Sequence, residues 1–140
     1  KLLWGDNIDD NVAPVKTVYD PCPAGYKVAP QDLLRITSKN GSLTTTQPSG
    51  YYTYGQFNSG WALYYDGRGT DRTKIFYLQA GGSRAGLTGG ISMGTITGAM
   101  WTSGCNSNFS ASSAGCNSVE ILNQSIENLS HGFNIRCVKE

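Results

Sequence analysis

Glycine interrupts this chain too often for long helices to form. The run GGSRAGLTGGISMGTITG, residues 81–98, carries Gly81, Gly82, Gly86, Gly89, Gly90, Gly94 and Gly98. Each glycine inside a helix costs about 1 kcal/mol relative to alanine, so a helix here would be opposed several times over. The alternating tail of the run leads instead into a strand, AMWTS. The bias extends beyond this run: 18 of 140 residues are glycine, well above the usual roughly 7%, while leucine and glutamate are sparse. Eight Tyr, three Trp and four Phe nevertheless offer large apolar surfaces, so the chain is expected to fold. Its 140 residues suffice for one core, giving a single domain over 1–140.

Period-two patterns and turn signals outline the elements. VAPVKTVYD alternates at Val15, Thr17 and Tyr19 and reads as a strand, closed by the rigid turn PCPAG. YKVAP is a second, short strand. PQDLLRIT is the best helix candidate, with Pro30 near the first turn, Asp32 near the positive end of the dipole, and Leu33, Leu34 and Ile36 on one side. Residues 38–50, rich in Ser, Thr and Gly, read as a loop. The aromatic centre follows, with Tyr51, Tyr52, Tyr54, Phe57, Trp61, Tyr64 and Tyr65, then the turn DGRGTD and the strand KIFYLQA. SVEILNQ and HGFNIRCVKE read as a final pair of strands around a turn at 128–132. The sum is an α+β domain of loop-rich antiparallel sheets with one or two short helices.

The four cysteines are Cys22, Cys105, Cys116 and Cys137, without a CxxC and with one histidine in the chain, so zinc spacing is absent. Three pairings are possible and spacing does not choose among them. The nested pairing, Cys22 with Cys137 and Cys105 with Cys116, is preferred because it ties the domain's ends and closes the Asn/Ser-rich segment between Cys105 and Cys116. That segment has only Phe109 as a large apolar side chain, so a crosslink would lower its entropy without using core. Such bonds persist outside a reducing cytosol.

Charge excludes several partners. The formal net charge is +1, which provides no field for nucleic acid or an anionic membrane. No apolar run approaches the roughly 20 residues of a membrane helix, and KLLWGDNIDD lacks the features of a signal peptide. An apolar opening without Met leads to the expectation of a processed chain or part of a longer one.

Taken in order, VYDPCPAGYKVAP, FYLQAGGSR, MWTSG and GFNIRCVKE resemble the C-terminal C-type lectin-like domains of Bacteroidetes surface proteins. These occur in fimbrillin-related pilus and tip-adhesin proteins and in the Fibrobacter major paralogous domain. The resemblance runs from about Trp4 to Glu140 and implies paired N- and C-terminal strands, with a long loop region opposite. It also implies the Cys22–Cys137 and Cys105–Cys116 disulfides, an extracellular place on the cell surface or pilus, and adhesion to a host glycan or protein. The alternative it leaves is a structural domain in contact with other pilus subunits. Calcium-dependent members carry EPN or QPD and a WND strand, whereas this chain has QPS at Gln47–Ser49 and WTS at Trp101–Ser103. A calcium-dependent mechanism is therefore not carried over, and no cofactor or metal is expected.

Candidate chemistry is correspondingly limited. Asp6, Asp9 and Asp10, or Asp66 and Asp71, are the carboxylates closest to a calcium set, but solvated turns are their ordinary reading. His131 has no GxSxG-type nucleophile motif to serve, so no enzyme is expected. The formylglycine-generating oxidases share the wider fold, but use a reactive cysteine pair that two structural disulfides would leave no room for. Four N-x-S/T sequons, at Asn40, Asn108, Asn123 and Asn128, read as loop composition. Aromatic rings stacking on sugar C–H faces, with amides and guanidinium groups on the hydroxyls, would make a calcium-independent site. Trp61, Tyr64, Tyr65, Arg68, Arg84, Asn106 and Asn108 are the candidates, although a domain this small also needs Trp61, Tyr64 and Phe76 inside.

Overall fold

The computed structural model describes residues 15–30, 33–34, 38–39, 50–64, 75–92, 94, 96–105 and 110–140. Eleven strands run through them: β1 (Tyr26–Val28), β2 (Thr53–Tyr54), β3 (Gly60–Tyr64), β4 (Ile75–Gln79), β5 (Ser83–Arg84), β6 (Ile91–Ser92), β7 (Thr97–Cys105), β8 (Ser110–Asn117), β9 (Ile121–Asn128), β10 (Asn134–Ile135) and β11 (Cys137–Lys139). There is no α-helix among the described residues, so the α+β expectation is corrected to a β-sheet architecture. Of the helix expected in PQDLLRIT, Leu33 and Leu34 form a 3-10 turn, with the Leu33 N–H donating to Pro30 O at 3.1 Å. Leu34 is fully buried there, so its apolar side chain serves the core from a single turn. Residues 31–32 and 35–37 lie outside the described set.

Two sheets enclose the core. The first is an antiparallel meander, β2-β3-β4, in which Trp61 faces Leu78 and Leu63 faces Phe76. Strict alternation sends these four side chains inward and their neighbours outward. The second, β10-β7-β8-β9, is antiparallel except where β10 runs parallel to β7. It contributes Met100, Ala114, Cys116 and Ile121 to the same cluster, joined by Leu34, Tyr51 and Ala80. Leu63 and Leu78 each contribute about 2 kcal/mol by leaving water. Trp61 satisfies its indole N–H by donating to Asn117 O at 2.9 Å, which ties one sheet to the other.

The glycines of the 81–98 run serve close packing as well as turns. A Cβ on Gly98 would lie 2.5 Å from both the Ala80 Cα and the Gly81 N, where β7 crosses the end of β4. Gly89, with φ +68°, closes the hairpin between β5 and β6.

The segment between the third and second cysteines is the largest surprise. Expected as an Asn/Ser loop over 106–115, it contains β8 from Ser110 onward, and residues 111–116 are all buried. Strand β8 lies between β7 and β9, so small side chains are what fit. The buried Thr102 Oγ1 finds a backbone partner, donating to Ser112 O at 2.9 Å. The expected Cys105–Cys116 disulfide is corrected by the same ladder. Cys105 stands opposite Ala111 and Cys116 opposite Gly98. The two positions are roughly 17 Å apart along the strand, far beyond the ~7 Å Cα separation a disulfide tolerates. Cys116 is a buried free thiol.

The first and last described strands pair antiparallel, β1 with β11, and Cys22 is bonded to Cys137 across 115 residues of chain. SVEILNQ supplies β9, which pairs with β8, while HGFNIRCVKE supplies two short strands rather than one, β10 beside β7 and β11 beside β1. VAPVKTVYD is not a strand in its described part, where Val18–Tyr19 form a turn. Lys16 explains why the chain bends. Its ammonium donates to Cys22 O (2.6 Å), Pro23 O (3.1 Å) and Tyr26 O (2.5 Å), filling the inside of the CPAGY turn. Asp20 completes this corner by accepting the N–H groups of Cys22 and Val28 at 2.8 and 3.0 Å.

Candidate functional site

The outer face of the three-stranded sheet carries an exposed row of tyrosines. Cross-strand register places Tyr54 beside Ala62 and Ala62 beside Tyr77, with Tyr64 and Ile75 forming the adjacent row. Tyr54 is 58% exposed, Tyr77 41% and Ile75 46%. At roughly 4.8 Å per strand, the two outer tyrosines stand about 10 Å apart over the small Ala62. The small Ala62 thus lies between two exposed phenol side chains, forming a shallow trough on this face.

Its walls are positioned. The Tyr54 and Tyr64 rings meet edge to face at 6.1 Å and 81°. The Tyr77 hydroxyl donates to Asn58 O. Ser59, at φ +53°, and Gly60 make the tight entry to β3, and a Cβ on Gly60 would come within 3.0 Å of the Tyr77 ring. Tyr52, one residue beyond the buried Tyr51, lies under the Lys39 ammonium, which sits 5.5 Å from its ring centroid. Burial pushes the Tyr51 phenol up, consistent with a purely structural ring.

Of the seven expected binding residues, Tyr64 belongs to this face. Trp61 is in the core, where its indole is committed to Asn117 O. Arg84 lies in β5, a different sheet, exchanging backbone hydrogen bonds of 2.8 and 2.9 Å with Gly132. Tyr65, Arg68, Asn106 and Asn108 lie outside the described residues, as do Asp6, Asp9, Asp10, Asp66 and Asp71. Tyr54, Ile75 and Tyr77 were not singled out as binding residues. Their signal was present in IFYLQ, where Tyr77 takes the opposite parity to Phe76 and Leu78.

The other reactive groups are held in structural arrangements. His131 Nδ1 lies 3.9 Å from Glu127 Oε2 and its ring meets Phe133 edge-on at 5.5 Å. Ser125 Oγ donates to Glu127 Oε1 at 2.7 Å rather than to the imidazole, so no hydroxyl-to-base relay is assembled there. Burial raises the Cys116 thiol to about 11, against a lowering contribution from the Trp61 backbone, which keeps it protonated and unreactive at neutral pH. Among the described residues, no group of three or more His, Cys, Asp or Glu side chains is placed to hold a metal ion. Comparison with protein-family models, curated proteins and solved structures gives no match.

Proposed function

We propose that this chain is a non-catalytic binding module of a cell surface or pilus, recognising glycan through the Tyr54–Ala62–Tyr77 trough without calcium. The observation that carries the reading is the exposure of positioned tyrosines on one sheet face, whose opposite face is the core. Leaving large aromatic rings in water costs a small domain apolar surface it could have buried, and a ligand that stacks on them recovers it. The sequence resemblance to lectin-like adhesin domains points the same way. The Cys22–Cys137 bond supports an oxidising, extracellular location.

A glycan array followed by titration of the hits tests the reading. Binding that persists with a chelator and falls at least tenfold in Tyr77→Ala is the expected result. Silence across the array, or hits that ignore Tyr54 and Tyr77, would remove it. A parallel screen against host matrix proteins separates a glycan ligand from a protein one.

A further inference from the structure

Beside the tyrosine row, at the far end of β4, a cavity of about 120 Å³ opens between the two sheets. Leu78, Met100 and Ala114 make its apolar floor, while Gln79, Asn134 and Arg136 stand at its rim. Gln79 shares its outward strand face with Tyr77, so one rim residue of this opening stands on the face that carries the tyrosine row.

Arg136 is the unusual member. Its guanidinium lies over the Phe76 ring, 4.1 Å from the centroid, and Nη1 donates to Tyr77 O at 2.9 Å. The stack and the hydrogen bond fix its plane while leaving other N–H groups of the fork uncommitted. No acid balances it: the ion pairs among the described residues are Lys16–Asp20 and Glu127–His131. Asn134, whose Nδ2 reaches Ala99 O at 3.5 Å, adds an amide beside it. A positioned cation without a carboxylate, two amides and a small apolar floor together describe a complementary ligand. It would carry one carboxylate, neighbouring polar groups and one small apolar substituent.

We propose that this cavity is a subsite for a carboxylated, N-acylated sugar, with Arg136 holding the carboxylate and the acyl methyl seated over Leu78, Met100 and Ala114. The inference rests on the reading of the tyrosine trough as a glycan surface, and narrows it to acidic glycans. The cavity is too small for a whole pyranose, so the ring itself lies at the rim, between Gln79 and Asn134.

The test compares three probes on the intact chain by titration calorimetry: the methyl glycoside of N-acetylneuraminic acid, its neutral methyl ester, and N-acetylglucosamine. The acid should bind at least tenfold more tightly than the ester. Arg136→Gln should erase that difference between acid and ester, and Arg136→Lys should restore only part of it, because a point charge cannot reproduce the fork. Equal binding of acid and ester to the native chain would overturn the subsite but not the trough. So would an Arg136→Gln effect equal for all three probes, which would mark Arg136 as a brace for the Tyr77 carbonyl alone. Failure of every sugar would overturn both readings. A peptide ending in a free valine carboxylate is the fourth probe; Arg136-dependent binding of that peptide without binding of the acidic sugar would replace the proposed ligand class.

Discussion

The meander β2-β3-β4 and the strand β8 meet across one core, yet they reach it by opposite means. The meander alternates large side chains, sending Trp61, Leu63, Phe76 and Leu78 inward and Tyr54, Tyr64 and Tyr77 outward. Strand β8 alternates nothing: residues 111–116, all small, are covered on both sides. The difference teaches where function can reside. A sheet with one free face can offer all of it to a ligand, whereas a strand enclosed on both faces reaches one only where a gap opens between the sheets, as at Ala114 and Gly115. A run of Asn, Ser, Ala and Gly that looks like a variable recognition loop is, over residues 111–115, buried throughout.

The largest expected effect asks whether the two regions are one cooperative unit. The Cys22–Cys137 bond joins β11 to the turn that precedes β1, outside both sheets, and closes most of the chain. Replacing both cysteines by serine should cost about 4 kcal/mol, with fluorescence and circular dichroism unfolding at one lower midpoint. Two separated transitions would mean that the sheets are independently stable and the comparison concerns two units.

Next is the crowding around β8. A Cβ on Gly115 would lie 2.5 Å from Gly98 O, so Gly115→Val should destabilise by about 3 kcal/mol in urea unfolding. If residues 106–115 were a loop throughout, as composition suggests, the substitution would be nearly silent.

The thiol gives a smaller and pH-dependent effect. Burial raises Cys116 from 9.0 to about 11, so the folded chain keeps a proton that the unfolded chain releases first. That stability is fully present below pH 9 and is lost as pH rises toward 11. Between pH 8 and 10.5 Cys116 should account for a loss of about 2 kcal/mol. The Cys116→Ala variant should show a correspondingly flatter alkaline profile. Identical profiles would indicate that the cysteine does not titrate, as in a disulfide. Smallest of all is Tyr54→Ala, expected within about 0.5 kcal/mol of the native stability because its side chain packs so little.

These contrasts also explain what could be read from the residues. KIFYLQA and YKVAP carry alternation or a terminal proline, and their strands β4 and β1 form where expected. The Cys22–Cys137 pair was legible because its position near the domain's ends made it the pairing that ties them. Strand β8 was not, since Ser, Ala and Gly give the same composition whether a segment is solvated or tightly enclosed. The second disulfide failed with it: a bond across a loop is plausible, but a bond across five residues of an extended ladder is not. PQDLLRIT had helix-start signals, but the paired leucines that suggested a helical face lie in a 3-10 turn, where Leu34 reaches the core. Arg136 was invisible as a binding residue because its placement depends on Phe76 and Tyr77, far away in the chain.

The most direct test of the account is chemical-shift mapping on the native chain and a Tyr54→Ala/Tyr77→Ala double variant, titrated with the strongest glycan-array hit. Perturbations centred on Tyr54, Ala62, Tyr64 and Tyr77 are expected in the native chain. In the folded double variant the affinity should be lower by at least tenfold. Perturbations concentrated elsewhere, with affinity unchanged in the double variant, would contradict the account.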